Sequence, residues 1–261
     1  MTGVQTCALP ILSLDHRILT LDKAVAQLGH GTMSGRVRVD SRGKIPLLTT
    51  ELRIEGASFD DFVGQPDMIR GPVRGLVRIS GRGDTVRQAF ASGNGKIAFV
   101  ASGGAMNRAA AYVMAQDLGG AIGQKLGDDE AKTPIRCAIL AFSAKHGLLT
   151  PAPLVIDTAI ARARGRGHIN LDGERIALAM NGAGNEKPDL KLVDPVKVEG
   201  TLSQPTIDFA PPGKKSGGGV FGSVTRSIGA ALGLRKDPQR DAPLPKPGTV
   251  NCRALAAEAL R

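Results

Sequence analysis

The feature that most constrains this chain is an alternation of apolar and polar residues over short runs, each closed by glycine or proline. A period of two places every second side chain on the same side of an extended backbone, so such runs are strands with one dry and one wet face. Thr32 to Asp40 sets Val37 and Val39 against Arg36 and Arg38, and Leu48 to Glu55 sets Leu52 and Ile54 against Glu51, Arg53 and Glu55. The series continues through Val73 to Ser80, Gly95 to Ser102, Ile135 to Lys145, Leu149 to Arg164, Gly167 to Leu171, Glu174 to Asn181, Val196 to Leu202 and Thr206 to Phe209. With 34 glycines and 16 prolines among 261 residues, the chain carries too many turn signals for a helical bundle. The expected fold is mainly β, a long curved antiparallel sheet of about ten strands rather than separate domains.

Helical signals interrupt the strands. Ser58 to Phe62 and Asp84 to Phe90 each open on a capping residue and predict single turns or short helices. Asn107 to Leu126 carries Ala111, Met114, Ala115, Leu118, Ile122 and Leu126 at spacings of three and four, which predicts one packed amphipathic helix over about 107–126. After the β region, residues 211–250 read as a flexible basic linker, with a short helix at about 220–234. Asn251 is placed to cap a terminal helix, and the whole segment from Lys214 to Arg261 reads as loosely attached.

The formal net charge of +10 suits nucleic acid or an anionic lipid surface. Seven Phe, one Tyr and no Trp leave no stacking platform for single strands, so no nucleic-acid partner is expected. The arginines instead alternate along strands, as a solvated sheet face does. No apolar run approaches the roughly 18 residues that cross a bilayer as a helix.

Catalytic chemistry has no local support. His16, His30, His146 and His168 lack metal-ligand spacing. Gly213-Lys214-Lys215-Ser216 lacks the earlier glycine of a phosphate loop, Gly165-Arg166-Gly167 lacks the rest of a dinucleotide turn, and no Gly-x-Ser-x-Gly elbow occurs. We therefore expect no enzyme, cofactor or metal.

Several punctuated motifs follow one another in a particular order. Gly29-His30-Gly31-Thr32-Met33-Ser34-Gly35 precedes a strand, Gly81-Arg82-Gly83-Asp84 a short helix, and Gly93-Asn94-Gly95-Lys96-Ile97 opens another strand. Gly165-x-Gly167-x-Ile169-x-Leu171, the strand Glu174 to Met180, and Asp194-Pro195-Val196-x-Val198-x-Gly200-Thr201-Leu202 with Pro205 complete the series. Over roughly residues 18–210 this order resembles the C-terminal region of the AsmA family, which includes TamB-related envelope proteins of diderm bacteria. Met1 to Ile11 resembles a translated sequencing adaptor that runs into the gene at Leu12; residues 1–11 are set aside as non-native, and Cys7 with them. Residues 12–210 then form the AsmA-like β region, 211–250 the linker and 251–261 the terminal helix.

The resemblance implies a periplasmic protein whose parent is anchored in the inner membrane by an N-terminal helix absent from this chain. It implies a role in outer-membrane biogenesis, with phospholipid acyl chains and the membrane surface as partners and with envelope assembly proteins as further ones. A scaffold or regulator of outer-membrane protein or lipopolysaccharide assembly is the alternative. Alternation marks Val37, Val39, Leu52, Ile54, Val77, Ile79, Ile97, Phe99, Ile156, Ile160, Ile169, Leu171, Ile176, Leu178, Met180, Val196 and Val198 as the lining of a lipid groove. Cys137 and Cys252 read either as two buried free thiols or, in the periplasm that the resemblance implies, as a disulfide.

Overall fold

A computed structural model describes residues 11–59, 69–115, 117, 120–121, 123, 131–184, 196–208 and 250–261. The 220–234 helix, nearly all of the 211–250 linker, residues 1–10 and most of the turn expected at 58–62 lie outside these. The fold is one large open antiparallel sheet. Its strands are β1 (Ile11–Asp15), β2 (Ile18–Gln27), β3 (Thr32–Asp40), β4 (Leu47–Ser58), β5 (Ile69–Arg70), β6 (Pro72–Arg82), β7 (Asn94–Ala101) and β8 (Ala105–Asn107). They continue with β9 (Lys132–Lys145), β10 (Leu148–Thr158), β11 (Ala161–Asn170), β12 (Arg175–Gly184), β13 (Val196–Thr201) and β14 (Pro205–Asp208). Twelve of these follow in chain order across the sheet, while β5 pairs with β8 as a side flap that rejoins at β9.

Register shows which residues share a face, because directly opposed residues of antiparallel strands point the same way. One row runs Met33, Ile54, Gly75, Phe99, Leu140, Leu154, Gly165, Met180, Val196 across β3 to β13. The next begins Gly35, Leu52, Val77, Ile97, Phe142. A slip of one residue would turn a whole row to the other side, so burial of this face holds the register.

Among the described residues, three helices with defined bounds pack on the sheet. Helix α1 (Val86–Ala91) bridges β6 and β7 and is capped by Thr85, whose hydroxyl accepts from Gln88 N. Helix α2 (Arg108–Met114) starts at Asn107, whose side chain accepts from Ala110 N at 3.1 Å, and it lies over β9, β11 and β12. The helix expected over 107–126 is interrupted after Met114; Gly120, Ala121 and Gly123 are helical again, while residues 116, 118–119, 122 and 124–126 lie outside the described residues. Ala115 is the C-cap of α2, Asp117 N bonds back to Tyr112 O, and the Asp117 carboxylate caps a new turn through Gly120 N. The i, i+4 pattern runs across this break without marking it, since Asp117, which caps the following turn, sits at none of the apolar positions. Helix α3 (Cys252–Ala259) is capped by Asn251, which accepts from Ala254 N.

Two expectations are corrected. Leu149 to Arg164 is two strands, since the chain reverses at Ala159 and Ile160. Thr158 Oγ1 accepts from Ala161 N and Ile160 N and so builds the turn without glycine or proline. The terminal segment is also firmly docked where it is described. Ala256 and Ala259 are buried against Ala98, Val100, Cys137, Ile139 and Ala141, and a disulfide joins Cys137 to Cys252. The centre of the sheet is therefore dry on both faces, not alternately dry and wet.

Candidate functional site: an apolar groove

Residues from Val73 on β6 to Val198 on β13 line one cavity of ≈ 420 Å³. Those two strands are six steps apart in the sheet, which would be roughly 29 Å if it were flat. The sheet is curved, and the row of register partners described above, which supplies Phe99, Leu140, Leu154, Met180 and Val196 to the cavity wall, lies on its concave face. The mouth is partly covered by Phe59, Ile69, Met106 and the α2 residues Ala110, Val113 and Met114. Gly182 on β12 makes the seating of α2 possible, since a Cβ there would collide with the carbonyl of Met114.

Every lining side chain is apolar, so what the cavity offers a guest is apolar contact without a hydrogen-bonding or titrating group. Protein cores contain few voids larger than a water molecule, and an apolar cavity of about 150 Å³ already stays dry and admits apolar guests. A space of ≈ 420 Å³ is in the range of a ligand pocket, about 300–1,000 Å³.

Of the residues that alternation marks, Phe99, Ile156, Ile169, Leu178, Met180, Val196 and Val198 reach the cavity. Ile79 is buried in the cluster beside it, with Val77, Ile97, Leu171 and Ile176 packed against that cluster. Val37, Val39, Leu52 and Ile54 lie further along the same face, on β3 and β4. Ile160 belongs to no strand; it sits in the β10–β11 turn and packs against the cluster around Val73 and Met106. Leu140, Phe142, Leu154 and the α2 residues line the cavity without having been marked. Cys137 to Phe142 is apolar at every position, so periodicity alone could not choose a face there. Their pairing with Phe99 and Ile97 makes the choice.

The concave face continues past the cavity as Leu48, Val39, Leu19 and Leu14 in one register row, with Leu12, Leu21 and Val37 beside it. Burial falls along that row, from buried Leu48 to largely exposed Leu14. The outer face carries ion pairs instead: Arg78 with Glu51 at 2.8 Å, Arg36 with Asp22, and the buried Asp157 between Arg136 and Arg162. Near its rim, Asp40 is held well below the usual carboxylate range, at about 2, chiefly by the side-chain hydrogen bond from Arg42. Burial, with the nearby Arg78 charge, lowers Lys96. Among the described residues no cluster of His, Cys, Asp and Glu is arranged to hold a metal ion, and no helix is long and apolar enough to cross a membrane.

No family model, curated protein or solved structure matches this chain.

Proposed function

We propose that this chain is a non-enzymatic, AsmA-like cell-envelope protein that supports outer-membrane biogenesis by carrying phospholipid acyl chains along its groove. The observation that supports this most is the concave apolar row that leads from open Leu14 and Leu19 to a wholly apolar cavity. An uncovered apolar face needs a second layer, and each methylene moved there from water contributes about 0.8 kcal/mol. An acyl chain supplies that layer where α2 does not. The disulfide fits an oxidising compartment such as the periplasm. The parent protein would be held in the inner membrane by a helix outside this chain.

A scaffold in outer-membrane protein or lipopolysaccharide assembly is the second reading. It is favoured by α2 and the β5–β8 flap, which give the middle of the sheet an ordinary protein core. A nucleic-acid module has least support, because Arg36, Arg78 and Arg87 already face carboxylates. Mass spectrometry of lipid extracted from the purified full chain separates the first two. Phospholipid near one chain equivalent or more supports conduction, whereas lipid-free folded protein leaves the scaffold.

A further inference from the structure

The connections β1–β2, β3–β4, β6–β7, β9–β10, β11–β12 and β13–β14 all fall at one end of the strands, because each joins sheet neighbours that run antiparallel. Each connection is tied to the next by a backbone hydrogen bond. Ser41 N donates to Arg17 O, Gly83 N to Pro46 O, Gly147 N to Gly93 O, Leu171 N to Gly147 O, and Leu202 N to Glu174 O, all between 2.9 and 3.1 Å. The strand-end rim is thus one laced edge.

Four of its six tips expose an aliphatic side chain: Ile45 (48%), Val86 (67%), Leu148 (39%) and Leu202 (46%). Turn tips are ordinarily polar, and these residues make no core. Arg17, Arg42, Lys44, Arg82, Lys145 and Arg175 stand among them. Of the rim carboxylates, Asp40 is paired with Arg42 and Glu174 with Arg87, while Asp15, Asp84 and Asp172 share the edge. The balance is cationic.

We infer that this rim seats the protein on the surface of an anionic phospholipid bilayer, inserting its tip aliphatics between headgroups while the lysines and arginines meet lipid phosphates. The spacing selects this partner. Neighbouring hairpin tips are two strands apart, roughly 10 Å, so the aliphatics form no contiguous patch and include no aromatic residue, unlike the clustered anchors of protein interfaces. A fluid interface accepts separate apolar side chains flanked by cations. The inference deepens the lipid-carrying reading and rests on it for its purpose, since it brings the groove to its lipid source.

The test is flotation of the full chain with phosphatidylcholine vesicles, with and without phosphatidylglycerol. The parent sequence should float with the anionic vesicles and lose at least about ten-fold in affinity without phosphatidylglycerol or at high salt. I45D/V86D/L202D, whose changes lie at open positions, should lose a similar factor while keeping its thermal midpoint. Delipidated I45D/V86D/L202D should still take up lipid presented in detergent, so failure of the rim is distinct from failure of the cavity. Anionic-vesicle binding that is unchanged in the triple variant overturns the inference, as does a parent chain that binds no vesicle or uses these tips only to bind protein.

Discussion

Cys137, in the middle of β9, is bonded to Cys252, the first residue of α3, with their Cα atoms 5.9 Å apart and a sequence separation of 115. The bond pins a terminal helix onto the outer face of the same strand that lines the groove from within. Closing so long a loop restricts the unfolded chain, and the chain-entropy argument gives a stabilisation of about 4 to 5 kcal/mol.

Replacing both cysteines by serine should therefore lower the urea midpoint markedly and steepen the slope, because the unfolded chain freed of this loop exposes more surface. Oxidised parent protein should keep both thiols from alkylation in denaturant until reductant is added. Equal midpoints for oxidised and reduced protein would contradict the role given to the bond.

Asp40 provides a local pH test. Its folded pKa of about 2 lies below the unfolded value, so its contribution to stability is present above pH about 4 and is lost as pH falls towards 2. In a carbon-detected NMR titration Asp40 should show a midpoint near 2, moving up in Arg42→Ala. A midpoint near the ordinary value of about 3.9 in the parent would show that the Arg42 hydrogen bond does not form in solution.

The close approach of α2 to β12 is tested at Gly182. A methyl group there meets the Met114 carbonyl, so Gly182→Ala should cost about 1–3 kcal/mol through forced displacement. Hydrogen exchange should localise the loss of protection to Arg108–Met114. A neutral substitution would mean that α2 sits further from the sheet.

The repeating strands were legible because period-two patterning, as in Val37 and Val39 or Leu52 and Ile54, continued from turn to turn. β1 and β2 were not, although Leu19 and Leu21 alternate. A register shift between Leu21 and Ala24, with Lys23 at φ 54°, breaks the period in the middle of β2. The β10–β11 reversal was hidden because Thr158 makes the turn through its hydroxyl rather than through a breaker residue. At the cavity, alternation could reach Phe99, Ile156 and Leu178. It could not reach Val113 and Met114, which arrive there only because α2 folds back over the strands. The docking of α3 was equally invisible, since its outer-face contacts lie on strands that are apolar on both sides.

The central claim is that the concave cavity holds lipid, and site-specific photocrosslinking in cells tests it most directly. A photoreactive residue at Leu178, on the cavity wall, should capture phospholipid, whereas one at Arg53, exposed on the opposite face, should capture little. Leu178→Asp should abolish copurified lipid, because acyl chains cannot solvate a carboxylate. Capture at Leu178 but not at Arg53 is the predicted result; folded, disulfide-bonded protein that captures no lipid at Leu178 would contradict the account.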